Sequence, residues 1–439
     1  MQAKLMILVV FGVFGLGCGL VIAQDAVPGR VVPNRYIVVL KDGVSPLRVA
    51  SRHRVSARHQ YTHIANGFAA DLSDKALNKI LQDSDIEMVI EDREVAAIGK
   101  PPAGGGTVTT TQVVPAGVQR IGAVGLTYTG SGVGVAVVDT GIDLANKDLR
   151  VGLKSYSAIS LSAKDDNGHG THVAGIIGAL NNTIAVVGVA PQATVYSVKV
   201  LDRSGSGTDS SILAGLDWVA KNPAAVVPAI KVVNMSLGRP GTLGDNPVLR
   251  QAVQRLVQQG ITVVVAAGND SNTEVSQQVP ATYPEVIAVA STTAKIGLSQ
   301  YPGFAGIAAD TASFFTTDGA LVLASDFSGY IGVTISAPGE DEEDVSSTGG
   351  ITSVGILSLK VGGGTVRMSG TSMAAPHVAG MAAVLQQQFG NALTSEDVRR
   401  KIANGAANLS APYASPTPGY TFDGDLEGIL NAPGALAAP

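Results

Sequence analysis

The chain has 439 residues, 45% hydrophobic and 15% charged, a balance that excludes a disordered protein and allows one large core or two modest ones. Lysine and arginine number 30 against 35 acidic residues, which excludes the basic footprint of a nucleic-acid binder. The single cysteine, Cys18, lies in an apolar leader, so the rest has no disulfide and must be held by its core, by bound metal or by both.

In chain order, Lys4, the apolar run Leu5 to Leu20 and Val21-Ile22-Ala23 read as a signal peptide, residues 1–23, cleaved after Ala23, and imply a secreted protein. A membrane anchor is the other reading, against which the short, glycine-interrupted run weighs. Gly15-Leu16-Gly17 is likewise a poor context for a lipid anchor on Cys18. Residues 24–100 predict a small α+β unit. Its strands fall over Tyr36–Leu40, Ile64–Ala70 and Glu87–Ile90, and Ser73 caps a short helix with Ala76, Leu77, Ile80 and Leu81 on one side. Pro101-Pro102-Ala103-Gly104-Gly105-Gly106 and the threonines after it predict a linker, 101–111, open to cleavage.

Over 112–439, apolar runs alternate with helical patterns. Strands are predicted at Val133–Val138, Thr194–Leu201, Ile230–Met235, Ile261–Ala267 and Val286–Ala290, with helices at His172–Leu180, Ser211–Lys221 and Pro247–Gln259. This alternation predicts an α/β fold, a three-layer parallel sheet with helices on both faces. Sites in such sheets form at the carboxyl ends of the strands. Asp139 ends one strand, Gly268-Asn269 follows another, and Asp166-Asn167-Gly168-His169-Gly170-Thr171-His172 leads into a helix. Ser369-Gly370-Thr371-Ser372 precedes the apolar helical spacing Val378, Met381, Ala382, Leu385, which sets Ser372 at a helix N-terminus.

A serine there needs a base and an orienting acid to become a nucleophile. Of the six histidines, His53, His59 and His63 fall in the first unit and read as solvated; His377 reads as packing. His172 is three residues into its helix. His169, at the helix entry, is the best base.

Asp139-Thr140-Gly141-Ile142-Asp143, His169-Gly170-Thr171-His172-Val173-Ala174-Gly175 and Gly370-Thr371-Ser372-Met373-Ala374-Ala375-Pro376-His377 together resemble the three active-site signatures of the subtilisin-like serine proteases, in that family's order. The resemblance runs from about Gln112 to Ala403. It implies a secreted serine endopeptidase with Ser372 as nucleophile, His169 as base and acid, Asp139 as its partner and Asn269 as oxyanion donor. By the same resemblance Ser236, Leu237 and Gly238 form one rim for an extended peptide, and Gly205, Ser206 and Gly207 the other, with broad selectivity. A structural Ca2+ site is implied at Gln112, Asp148, Leu180, Asn182, Ile184 and Val186. The unit over 24–100 resembles the family's ferredoxin-like propeptide, a chaperone and intramolecular inhibitor whose end occupies the cleft.

Asp341-Glu342-Glu343-Asp344 reads as a solvated acidic turn, with a weaker second cation site as the alternative. The stretch Ser291 to Ser336 departs from the family's usual core, Gln278 falls where glycine is common, and Asp270 would favour a basic residue in the specificity pocket. Gly130-Ser131-Gly132-Val133-Gly134 precedes its strand, whereas a dinucleotide fingerprint follows one. The rival of another class is an exported, catalytically inactive relative that acts as a binding protein.

Overall fold

The computed structural model describes residues 27–99, 111–223, 225–326, 328–416 and 424–439. The predicted signal peptide and all of the predicted linker but Thr111 lie outside them.

The first unit runs β1 (Val31–Leu40), α1 (Pro46–His53), β2 (Ala57–Tyr61), β3 (Gly67–Asp71), α2 (Asp74–Leu81) and β4 (Ile86–Ala97). Its antiparallel sheet has the order β4-β1-β3-β2, the split βαβ arrangement. Val38, Leu40, Phe68, Leu72 and Ile80 fill its core. The predicted cap is present, with Ser73 Oγ accepting from Ala76 N–H. Two elements escape the sequence reading, α1 and the polar edge strand β2. Two of the three histidines here are not simply solvated: His53 is bonded to Asp83 at 2.6 Å, and His59 is pushed down to about 4 by burial, then by Arg35 and Arg58, while His63 is exposed as expected.

The second unit opens with α3 (Ala116–Arg120), β5 (Gly134–Asp139), β6 (Tyr156–Ser157), α4 (His169–Gly178), β7 (Thr194–Lys199), β8 (Ser206–Thr208) and α5 (Asp209–Lys221). It continues through β9 (Ile230–Met235), β10 (Leu237–Pro240), α6 (Pro247–Gln258), β11 (Thr262–Ala266), β12 (Gln278–Val279), β13 (Ile287–Thr293) and the hairpin β14 (Val322–Leu323)–β15 (Tyr330–Ile331). It closes with β16 (Ile335–Val345), β17 (Ile351–Leu359), β18 (Thr365–Met368), α7 (Thr371–Gln388), α8 (Ser395–Asn404) and α9 (Ala432–Ala437). The main sheet has the order β18-β17-β16-β13-β11-β9-β5-β7-β6. It is parallel from β16 to β6, as the alternation predicts, but β17 and β18 extend it antiparallel, so the sheet is mixed. One core lies under α4 and α7, the other under α5 and α6, which makes three layers.

The acidic run corrects the sequence reading outright. Glu340, Asp341 and Glu343 are buried inside β16 rather than solvated in a turn. Asp341 pairs with Arg367 and Glu342 with Lys295. The departure over 291–336 wraps this strand, and Phe314 and Phe315 from it line the same cleft as Asn269.

Candidate active site

β5 delivers Asp139 buried at the carboxyl edge of the sheet. His169 is the first residue of α4, three residues earlier than the predicted helix start, so it stands at the helix mouth with its ring buried. Its Nδ1 lies 2.8 Å from Asp139 Oδ1 and 3.0 Å from Oδ2, which assigns the ring proton to Nδ1 and leaves Nε2 as the acceptor. Among the described residues Nε2 has no hydrogen-bond partner. Burial alone would lower the pKa of His169, but the charge and hydrogen bond of Asp139, with Asp165 behind, outweigh it and the net shift is upward.

Asp165 is a residue the sequence reading passed over. Its carboxylate accepts from the N–H of Asn167, Gly168 and Thr171 and from the hydroxyls of Thr140 and Thr171, tying the mouth of α4 to the turn after β5. An aspartate four residues ahead of the histidine, in Asp165-Asp166-Asn167-Gly168, is a helix-entry signal that could have revealed it.

Ser372 is the second residue of α7 and its Oγ donates to Ser236 O at 3.0 Å. Pro376 sits inside that helix and cannot donate to the carbonyl of Ser372. Ser236 Oγ supplies the missing donor at 2.9 Å, which fixes the start of α7 against the strand end after β9. His377 turns away, bonded through Nδ1 to Met373 O, as a packing residue.

Asn269 follows β11. Its Oδ1 accepts from the N–H and the hydroxyl of Thr371, both at 2.9 Å, which turns Nδ2 toward the cleft. Gly370 has φ +146°, and a Cβ there would lie 2.8 Å from Asn269 Nδ2 and 2.9 Å from Ile98 O. Only glycine fits between them.

The first unit ends in this cleft. β4 pairs with β8 on one side, Val95 opposite Gly207 and Ala96 opposite Ser206, and with β10 on the other, Ala96 opposite Gly238 and Ala97 opposite Leu237. Ala97 N–H then donates to Gly205 O at 2.8 Å, and Ile98 N–H to Ser236 O at 3.1 Å. A Cβ on Gly99 would lie 3.2 Å from His169 Nε2 and 3.4 Å from Ser372 Cβ. All six rim residues named from the sequence thus flank one extended strand beside a cavity of ≈ 890 Å³, which Asp270 and Gln278 also line.

The six residues named for a cation also come together. Gln112 Nε2 is within 2.7–3.4 Å of Leu180 O, Asn182 Oδ1, Ile184 O and Val186 O. Asn182 Nδ2 donates to Asp148 Oδ1, while Asp148 Oδ2 is buried with no partner among the described residues. Asn182 Oδ1 already faces this cluster, so turning the Gln112 amide alone would present an all-oxygen shell, the donor set a hard divalent cation takes.

A carboxylate–imidazole pair, a serine at a helix N-terminus and a peptide strand clamped beside them define a serine endopeptidase covered by its own inhibitory segment. The chain belongs to the subtilase family, whose model matches residues 130–421, and residues 35–97 match the peptidase inhibitor I9 model. It is similar to the thermostable alkaline protease of Halalkalibacterium halodurans, 34% identical over 90% of this chain and 92% of that protein. Subtilisin NAT of Bacillus subtilis subsp. natto is 33% identical over 87% of each chain, and the M-protease of Shouchella clausii 34% over 84% and 81%. The inactive-relative reading finds no support, since all four positions carry the residue types that the chemistry needs.

Proposed function

We propose that the chain is a secreted zymogen that cleaves itself between Ile98 and Gly99, and then hydrolyses extended protein segments with broad side-chain selectivity. The observation that carries this reading is the course of the chain past Ala97, with Ile98 N–H on Ser236, Ile98 O and Asn269 Nδ2 both against Gly370, and Gly99 against His169 and Ser372. Domain limits of 24–98 for the prosegment and 99–439 for the enzyme follow, two residues short of the 24–100 unit expected from sequence and ahead of the 101–111 linker.

Ser372 Oγ turns from Ser236 toward His169 Nε2, gives it the proton and attacks the carbonyl carbon of Ile98. Asp139 holds the imidazole by Nδ1–H and stabilises the cation. Asn269 Nδ2 and the Ser372 N–H receive the oxyanion at the positive end of α7. His169 hands its proton to the nitrogen of Gly99 as the C–N bond breaks. Water, deprotonated by the same ring, then frees the acyl group from Ser372. Because Gly205, Ser206, Gly207, Ser236, Leu237 and Gly238 offer mainly main-chain bonds, a substrate is held by its backbone and side-chain demands are loose.

A Ca2+ held by Gln112, Asp148, Leu180, Asn182, Ile184 and Val186 supplies no chemistry. It ties the start of the enzyme to the loop that leaves α4, the helix bearing His169. Export rests on the 1–23 leader; among the described residues no helix is long and apolar enough to cross a membrane.

In a host lacking other secreted proteases, Ser372→Ala should accumulate uncut, and the mass of the wild-type prosegment should end at Ile98. Maturation of Ser372→Ala would refute self-cleavage, and a different terminal mass would refute the register.

A further inference from the structure

In a regular strand, residues three apart face opposite sides. The pairing of β16 with β17 slips between Glu340–Gly355 and Glu342–Val354, leaving Asp341 as a bulge. The slip brings Glu340 and Glu343 to one side, both fully buried and within hydrogen-bonding reach of each other. One oxygen of each is provided for: Ser353 Oγ donates to Glu340 Oε2, with the Ser313 hydroxyl also against Glu340, and Phe314 N–H donates to Glu343 Oε1 at 2.8 Å. The other two, Glu340 Oε1 and Glu343 Oε2, have no donor among the described residues. Two neighbouring acceptors with no hydrogen are satisfied by one proton between them.

The pair lies directly behind the cleft. Gly339 O accepts the N–H of Gly370, two residues before Ser372. Ser369 Oγ is 2.6 Å from Ser353 Oγ, so Ser369 donates to Ser353 while Ser353 donates to Glu340. Ser353, Ser369 and Phe314 all line the cavity that holds the peptide.

We propose that Glu340 and Glu343 share one proton and act together as positioning residues for hydrolysis, holding the Ser369–Gly370 approach to the nucleophile and the Phe314 wall in place. Burial, and for Glu340 also the charge of Glu343, raises both acids above their ordinary value. An acid raised in the folded protein keeps its order below that value and loses it as pH rises, so this pair sets an alkaline limb while His169 sets the acidic one. The other charged groups around β16 are engaged elsewhere. Asp341 pairs with Arg367 of β18, Glu342 with Lys295, Arg120 of α3 with Asp310, and Asp344 accepts from Leu298 N–H. His377 of α7 bonds Met373 O and Glu427 accepts from Ser336, while β13 and β17 carry no titratable residue.

The test follows kcat and KM against pH for the mature enzyme and Glu343→Gln on a chromogenic peptide. The amide offers an oxygen to Phe314 N–H and a permanent hydrogen to Glu340. The alkaline fall in kcat should move up by about one pH unit or more, with KM little changed. Superimposable profiles would overturn the proposal. Should that variant not fold, infrared spectra of full-length Ser372→Ala decide: a protonated carboxyl C=O band should persist at about pH 8, well above ordinary carboxylate values, and its absence would overturn the proposal.

Discussion

Asp92→Asn should change how the grip of the prosegment depends on pH. Asp92 lies midway along β4, buried against the enzyme, where Oδ1 accepts from Ser210 N–H at 2.9 Å and Oδ2 from Ser210 Oγ at 2.6 Å. Ser210 is the second residue of α5, so the carboxylate caps a helix of the catalytic unit. Burial raises its pKa, the two Ser210 bonds pull it back, Asp209 raises it again, and the result is a rise from 3.8 to about 6. In the released prosegment the burial is gone. An acid raised in the complex contributes fully below 3.8, and the contribution is lost as pH climbs through about 6. A rise of that size corresponds to about 3 kcal/mol, or roughly a hundredfold in Kd. The pH dependence of His59, pushed down to about 4, has the opposite sign, but it is common to both proteins and cancels in the comparison. Diluting the processed complex at fixed pH and following the appearance of activity gives Kd for each. The wild-type and Asp92→Asn values should diverge by up to about a hundredfold between pH 4 and pH 8. Parallel curves would mean that Asp92 is not desolvated by the enzyme, and the argument would fail.

Two further outcomes test the site itself. Asn269→Ala should lower kcat by about 10²–10³ with little change in KM, a figure that belongs to the corresponding asparagine of subtilisin, a member of the same family; steady-state kinetics on a peptide substrate read it, and an unchanged kcat would remove Asn269 from the oxyanion site. Chelation should lower Tm by several degrees and added Ca2+ should restore it, since ligand at a hundred times Kd is worth about 2.7 kcal/mol; scanning calorimetry should find both effects blunted in Asp148→Ala.

What was legible in the sequence, and what was not, divides along a physical line. A strand buried on both faces, such as Val135–Val138, announces itself as an unbroken apolar run, and Ser372 is marked by the helix it opens. Elements that depend on a distant partner leave no such mark. β4 continues to Ala97 because β8 and β10 of the other unit complete its ladders, so its second half has no local reason to be a strand. The edge strand β2, Arg58-His59-Gln60 at its centre, escapes for another reason: its residues are polar, so no apolar run marks it. Four consecutive acids read as solvated because every local rule prices each carboxylate separately in water. The bulge at Asp341 and the proton shared by Glu340 and Glu343 change that reckoning. Arg367 and Lys295 neutralise two of the acids, Leu298 N–H and Phe314 N–H bond two, and only the fold brings those partners to β16. The same strand presents Gly339 O to Gly370 beneath the nucleophile, so the segment hardest to read from sequence supports the residue easiest to read.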